Sequence, residues 1–427
     1  MHLRLLAVAV VLAAVAGCGG DDPDDVGANP ATTLASAPSD AARLRVVEDG
    51  LDAATTEELN AAAETAFAGS STPGAVMAVR TSKGTWVATI GTKDLDGTEA
   101  MTADVRQRIG SITKTFTVTA LLQLVDEGAL TLDDPIGDYV DGMPDPDATL
   151  GKLAAMRSGI PSYTFDKGWQ DAVLRDPTAE WTPEQLIDIV RGQEPDFAPG
   201  EQTSYSNTNT ILLGLVLEDV TGKPVDQVIE ERIIETLGLT ATVFPTDASF
   251  ADPHARGYTV QGQADRVPVD ATDWTTSWGW TAGAMVSDVN DLLVYGKELV
   301  AGDVLLSPEM QRERIDSFDF EIPPNSPARA YGYGLGLANG WYGHTGELFG
   351  YNTVLQHHLD EDITVVVMAN SDIRSGDCPS DTPTVPGGRT EGPCADPAVY
   401  IADGLTAALG LPLVEPPTTT DTTDTTD

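Results

Sequence analysis

The stretch Gly110-Ser111-Ile112-Thr113-Lys114 decides the fold of this chain. The apolar spacing that follows it predicts a helix that extends from residue 109 to about residue 127. Residues three apart lie on the same face of a helix. We therefore expect the hydroxyl of Ser111 at a helix N-terminus, with the amine of Lys114 beside it.

Two further motifs follow in the chain, Tyr205-Ser206-Asn207 and His344-Thr345-Gly346, and each occurs only once. A serine hydroxyl is a weak nucleophile until a neighbouring base takes its proton. Lys114 can be that base if its site is partly desolvated, because burial favours the neutral amine. Tyr205 is a candidate second proton carrier, and the Asn207 amide can bind both the lysine and a substrate amide.

Acyl transfer also needs hydrogen-bond donors for the oxyanion that forms on the attacked carbonyl. The backbone N–H groups of Ser111 and of Glu347, the residue after His344-Thr345-Gly346, are our candidates. Each motif alone is weak evidence, but the three together predict a serine enzyme of acyl transfer.

Rival chemistries find little support in the sequence. It contains no Gly-x-Ser-x-Gly elbow, no His-Glu-x-x-His and no phosphate-binding Gly-Lys-Ser/Thr loop. His357 and His358 are adjacent on a predicted strand and point to opposite faces, so they cannot chelate one metal together. We expect neither a metal nor a cofactor.

The composition excludes a further class. The 427 residues carry a net charge of −42, and phosphate binding requires clustered lysine and arginine. Nucleic acid is therefore not an expected partner, and the acidity indicates a heavily solvated surface. Hydrophobic residues make up 41% of the chain, which is enough for a globular core.

The N-terminus reads as a targeting segment. An apolar run over residues 5–16 follows Arg4 and ends in Val15-Ala16-Gly17-Cys18, which resembles a bacterial lipobox. We predict a signal peptide over residues 1–17, lipidation of Cys18, and an exported protein anchored to the outer face of the cell membrane. A simple secretory cleavage site is the alternative.

The remaining chain divides into a tether, a hydrolase domain and a tail. We predict a flexible tether over residues 18–45, a domain over 46–412 with a mostly helical insertion at 130–285, and a disordered Thr/Asp tail over 413–427. The fold class is α/β (α+β), with one antiparallel sheet flanked by helices. Predicted strands are 74–80, 85–90, 332–337, 350–359 and 363–369, and the outer helices are 56–67 and 397–409.

Cys378 and Cys394 lie in a loop rich in Pro, Gly, Thr and Asp. An exported protein meets an oxidising compartment, where an even pair of cysteines usually forms a disulfide. We predict that this pair does so.

With these motifs in place, the chain resembles the penicillin-recognising serine hydrolases, which have a β-lactamase/transpeptidase-like fold. This superfamily includes class C β-lactamases, D-alanyl-D-alanine carboxypeptidases, esterases and D-aminopeptidases. The likeness is strongest to the secreted actinobacterial D-alanyl-D-alanine carboxypeptidase type. The segments that carry it are 109–116, 122–128, 205–209, 277–278, 282–283, 333–337 and 343–346.

The resemblance implies that Ser111 is acylated, that Lys114 and Tyr205 transfer protons, and that Asn207 binds the substrate and the lysine. His344 stands where many relatives have lysine and is expected to orient Tyr205 and to bind a polar or anionic group. Further residues implied in substrate binding are Trp278, Thr345, Gly346 and Glu347.

Two departures bear on the substrate. Carboxypeptidase relatives hold the terminal carboxylate with an arginine that follows the Gly-Leu-Gly-Leu run, where this chain has Ala338-Asn339-Gly340. They also have a hydroxyl residue where this chain has Glu347. The leading hypothesis is carboxypeptidase-like or β-lactamase-like hydrolysis of a cell-wall peptide or a β-lactam. An esterase or a D-amino-acid amidase or aminopeptidase is the alternative within the fold, and a catalytically silent binding lipoprotein is the alternative outside it.

Overall fold

The computed structural model describes residues 43–414. The predicted signal peptide, Cys18, most of the tether and nearly all of the C-terminal tail lie outside these residues. Between residues 43 and 414, no helix combines the length and the apolar character that a bilayer crossing demands.

The main sheet has eight strands, all paired antiparallel, in the order β1-β3-β2-β12-β11-β10-β9-β8. Strands from the two ends of the described chain therefore meet in one sheet, which confirms the predicted fold class. The strands are β1 Arg45–Asp49, β2 Gly74–Arg80, β3 Thr85–Gly91, β4 Gln107–Arg108, β5 Tyr258–Thr259, β6 Val269–Asp270, β7 Val286–Ser287, β8 Arg329–Tyr331, β9 Gly336–Ala338, β10 Trp341–Leu348, β11 Tyr351–His358 and β12 Ile363–Ala369.

Helices cover both faces of this sheet. They are α1 Ala53–Gly69, α2 Thr113–Asp126, α3 Leu150–Ala154, α4 Lys167–Arg175, α5 Pro183–Asp188, α6 Asn207–Thr221, α7 Val225–Ile229, α8 Glu235–Leu237, α9 Trp280–Gly283, α10 Val289–Ala301, α11 Pro308–Asp316 and α12 Pro397–Ala408. Residues 130–285 contain α3 to α9 and the two short strands β5 and β6.

The central strands are buried on both faces, because side chains alternate between the two sides of a strand. In β2, Val76 and Ala78 enter the core shared with α2, α6 and α10, whereas Met77 and Val79 enter the core shared with α1 and α12. The sheet is thus the middle layer of three, as expected for strands of nearly continuous apolar sequence.

One predicted strand is wrong. Residues 332–337 do not form a continuous strand. Instead, β8 ends at Tyr331, the Gly332 N–H donates to the Leu335 carbonyl at 2.9 Å, and β9 begins at Gly336. Gly334, in the turn, has φ +67°, and a Cβ there would lie 2.7 Å from the Cβ of Val118 on α2. Contact with the helix therefore breaks the strand at a glycine.

Candidate active site

The turn that carries Ser111 is packed backbone to backbone against β10. Ser111 lies in a 3₁₀ turn, Gly110–Ile112, that leads directly into α2. Gly110 has φ +54°, and a Cβ there would lie 2.5 Å from the backbone nitrogen of Glu347. A Cβ on Gly346 would lie 1.8 Å from the Ile109 carbonyl oxygen. Only glycines permit this approach, which places the Glu347 amide beside the Ser111 turn.

Lys114 is completely buried next to Ser111. Its Nζ lies 3.0 Å from Ser111 Oγ and donates to the Ala282 carbonyl of α9 at 2.6 Å. Burial lowers the pKa of this amine well below its usual value, because the charged form loses its hydration. A neutral Lys114 can donate to Ala282 and still accept the Ser111 proton.

Asn207 does not bind Lys114 as expected. Its Nδ2 donates to Thr164 Oγ1 at 3.1 Å, and its backbone N–H donates to Ser162 Oγ at 3.1 Å. The Ala282 carbonyl takes the place beside the amine that we had assigned to Asn207. The helix start at Asn207 instead ties α6 to the 162–164 segment.

Tyr205 lies on the other side of the lysine. The Lys114 Nζ is 4.9 Å from the centroid of the Tyr205 ring. Burial raises the pKa of the phenol, and a hydrogen bond with Ser111 partly offsets that effect. Tyr205 is therefore a protonated phenol in contact with the same hydroxyl as the Lys114 amine.

His344 faces this group from β10, and its ring lies near the ring of Tyr205 without a hydrogen bond between them. The centroids of the two rings are 6.0 Å apart. Its Nδ1 lies 2.5 Å from the Thr345 carbonyl, and its Nε2 lies 3.0 Å from the hydroxyl of Tyr331, a residue that the sequence did not suggest. Burial lowers the pKa of His344 to about 3, so the ring is neutral.

The Glu347 side chain forms an ion pair with Arg374. Glu347 Oε2 lies 3.0 Å from an Arg374 terminal nitrogen, and Arg374 Nε lies 2.7 Å from Asp396 Oδ1. The two carboxylates raise the pKa of Arg374, which stays charged. Burial raises the pKa of the Glu347 carboxyl, and the guanidinium acts against that shift. Arg374 was also absent from the sequence-based site, and its Nε and one terminal nitrogen are bound by the protein's own carboxylates.

Trp278 and Thr345 differ in their access to solvent. Trp278 is 8% exposed and packs its ring at 5.4 Å from Trp169 and 5.6 Å from Phe349, measured between centroids. Its contribution is packing beside α9, which carries the Ala282 carbonyl. Thr345 is exposed on β10 between the buried His344 and Gly346.

The predicted disulfide between Cys378 and Cys394 forms, with Cα atoms 4.6 Å apart. It closes a loop whose base is the bridge between Ser375 and Ala395. Arg374 and Asp396 flank that base, so their ion pair joins the loop to β10 through Glu347. Among residues 43–414, no cluster of three His, Cys, Asp or Glu side chains could hold a metal ion.

Comparison with known proteins identifies the class to which this fold and site belong. The β-lactamase family model matches residues 59–384, and the chain belongs to this family. A crystal structure of a D-stereospecific amidohydrolase from Streptomyces sp. is 33% identical, with a TM-score of 0.67 over 76% of this chain and 95% of that one. A D-amino acid amidase from Ochrobactrum anthropi SV3, complexed with L-phenylalanine amide, is 26% identical, with a TM-score of 0.66 over 74% and 91% of the two chains.

Among curated sequences, a D-aminopeptidase of Brucella anthropi is 30% identical over 290 residues. The match covers 66% of this chain and 52% of the D-aminopeptidase, so the chain spans about half the length of that relative. The similarity therefore concerns the matched half of the D-aminopeptidase and not the rest of that protein.

Proposed function

We propose that the chain hydrolyses amide bonds through an acyl-enzyme on Ser111. Its substrates are amides of D-amino acids, or peptides whose N-terminal residue is a D-amino acid. The observation that carries this proposal is the contact of one serine hydroxyl with the completely buried amine of Lys114, whose pKa is lowered by burial, and with the phenol of Tyr205. A binding protein has no need of a completely buried lysine beside a serine hydroxyl, which argues against the catalytically silent alternative.

In the first half of the reaction, Ser111 Oγ attacks the substrate carbonyl carbon while Lys114 takes the hydroxyl proton. The N–H groups of Ser111 and Glu347 bind the oxyanion that forms. Tyr205 gives its proton to the leaving nitrogen as the C–N bond breaks, and it is reprotonated from the Lys114 ammonium. The amine leaves and the acyl group remains on Ser111.

In the second half, water attacks the ester carbonyl and the same groups act in reverse. Lys114 takes a proton from the water, Tyr205 gives its proton to Ser111 Oγ as the ester C–O bond breaks and the acid product forms, and the Lys114 ammonium reprotonates Tyr205. Every proton stays within the three side chains, the water and the substrate, so the cycle closes without a cofactor.

The surroundings of Glu347 favour this substrate class over a peptide with a free C-terminal carboxylate. Arg374 is bound on two sides by Glu347 and Asp396, and Asp372 adds a third acidic group to the electrostatic surroundings of the pair. A substrate carboxylate would meet the negative charge of these acidic side chains, whereas a neutral amide or a free amine would not be repelled by them. The amide-hydrolysing names of the Streptomyces and Ochrobactrum structures support the same choice.

Hydrolysis of matched substrates tests the proposal. The full chain and its Ser111→Ala variant are compared on D-alanine amide, L-alanine amide, the amine-blocked dipeptide N-acetyl-D-Ala-D-Ala and a chromogenic cephalosporin. We expect kcat/KM on the D-amide to exceed that on the other three by at least about tenfold, since one misplaced group costs that much or more. Preference for the dipeptide would replace the proposal with a carboxypeptidase, and rapid cephalosporin turnover would replace it with a β-lactamase.

The cellular location is part of the proposal. We propose that the lipobox-like segment ending in Cys18 exports the chain and anchors it to the membrane by a lipid. Radiolabelled palmitate incorporated into the wild type but not into Cys18→Ala supports the anchor. Equal labelling of the two chains contradicts it.

A further inference from the structure

Tyr331 reaches the active site from the edge of the sheet. Strand β8 pairs with β9, and β9 pairs with the start of β10, so Tyr331 lies two strands away from the residue before His344. Its hydroxyl lies 3.0 Å from His344 Nε2. Its ring packs edge to face against both His344 and Tyr205, with centroids 5.7 and 6.0 Å apart. One side chain therefore touches two groups of the site.

The hydrogen bonds of His344 fix its tautomer. The Thr345 carbonyl can only accept, so the Nδ1 that lies 2.5 Å from it carries the proton. In a neutral ring Nε2 is then an acceptor, and Tyr331 must be the donor to it. The Thr345 carbonyl and the Tyr331 hydroxyl therefore determine which ring nitrogen of His344 carries the proton.

We propose that Tyr331 is a positioning residue for the reaction: its hydroxyl donates to Nε2 of His344 and holds the ring neutral and in one orientation. The effect on reaction rate rests on the proposed function, whereas the hydrogen bond between Tyr331 and His344 does not depend on it. With His344 uncharged, no positive charge on that ring favours loss of the Tyr205 proton. The phenol of Tyr205 then keeps its proton until the leaving group needs it.

The charged and titratable groups around His344 come from four elements. Lys114 faces it from α2, Tyr205 from the segment before α6, and Tyr331 from β8, while Arg314 of α11 interacts electrostatically with Tyr331. Loss of the Tyr331 hydroxyl would remove the donor that favours neutral His344. The pKa of the ring would then rise from about 3, and the ring would be free to turn.

The test compares Tyr331→Phe with Tyr333→Phe, a matched control two residues along the chain. We expect Tyr331→Phe to lower kcat on the D-amide by about tenfold with KM changed less than about twofold, since general acid–base catalysis depends on such alignment. The pH–rate profile should gain an extra ionisation on its acid side. Tyr333→Phe should leave both unchanged.

A double-mutant comparison and NMR spectra distinguish a positioning role of Tyr331 from a general loss of structure in the variant. In a His344→Gln background, Tyr331→Phe should cost nothing further, because its partner is already gone. Nitrogen-15 spectra of histidine-labelled full chain should show His344 protonated on Nδ1 and not titrating between pH 4.5 and 8. A wild-type His344 that titrates near its usual pKa, or an equal loss in the His344→Gln background, overturns the proposal. The spectra need no substrate, so they decide this point even if the proposed amidase activity fails.

Discussion

The side-chain nitrogen of Lys114 lies 3.0 Å from the hydroxyl oxygen of Ser111, inside a site where the lysine is completely buried. The two residues are three apart in sequence, and the turn from 3₁₀ to α-helix brings them onto one face. The Ala282 carbonyl accepts from the same nitrogen. Burial is what turns an ordinary surface cation into a base, and the predictions below follow from this arrangement.

Loss of the amine should stop acylation. We expect Lys114→Ala to acylate Ser111 more than about a hundredfold more slowly, the usual scale of a lost general base. The measurement is the labelling rate with a fluorescent fluorophosphonate, with Lys167→Ala, an exposed lysine on α4, as the control. Near-normal labelling of Lys114→Ala would remove the lysine from the mechanism.

Loss of the phenol should affect the leaving group. Tyr205→Phe keeps the ring beside Lys114 but lacks the proton, so we expect kcat for amide hydrolysis to fall by more than about a hundredfold. Tyr342→Phe, on the same strand as His344, is the matched control. A Tyr205→Phe variant that turns over as fast as that control would show that another group protonates the amine.

Substitution of Glu347 should change substrate selection. Glu347→Thr releases one edge of Arg374, so we expect improved hydrolysis of peptides that end in free D-Ala, relative to D-amides. The double variant Glu347→Thr/Arg374→Gln should lose that gain. If Glu347→Thr brings no gain, its side chain lies outside the substrate pocket and selection depends on other residues.

The close approach of β10 to the nucleophile turn should depend on Gly346. An alanine Cβ there would lie 1.8 Å from the Ile109 carbonyl oxygen, so β10 must move. We expect Gly346→Ala to lower the free energy of unfolding by about 1–3 kcal/mol, the usual cost of overpacking, and to slow acylation. Gly336→Ala, whose nearest contact would be 3.4 Å, is the control in urea unfolding and labelling. Unchanged acylation by Gly346→Ala would show that the approach is not needed.

The neutral state of His344 should make the protein sensitive to acid. Its pKa is about 3 in the folded chain against 6.5 when unfolded, so between these values the unfolded state binds more protons and stability falls as the pH falls. From pH 7 to pH 4.5 this one group should cost about 2–3 kcal/mol. His344→Gln should be less acid-sensitive by that amount in urea unfolding at the two pH values. Parallel losses in the two proteins would mean that His344 is charged when folded.

The sequence predicted those features of the fold and the site that depend on residues close together in the chain. Strands β2 and β12 have their predicted bounds because both are apolar runs buried on two faces. Ser111 and Lys114 share a helix face by spacing alone. The contacts of Tyr331 with His344 and of Arg374 with Glu347 join residues 13 and 27 apart across strands and a loop. They depend on strand register and on how a disulfide-closed loop returns to the sheet, which a single sequence does not specify.

For Asn207 and His344, too, one part of the assignment could be predicted from the sequence and another part could not. Their positions near the site followed from the motifs, but their hydrogen-bond partners did not. Thr164 and Tyr331 reach them from segments with no motif of their own. A search for polar side chains beside the glycine run at 332–336 would have singled out Tyr331.

Mass spectrometry of the intact chain after reaction with a fluorophosphonate tests the central claim most directly. The account predicts a single adduct, located on Ser111 by peptide mapping, that is absent in Ser111→Ala and forms slowly in Lys114→Ala, whereas Tyr205→Phe, which lacks only the proton for a leaving nitrogen, still forms it. An adduct on another residue, or a folded wild-type chain that stays unmodified, would contradict the claim that these three side chains form one acylating site.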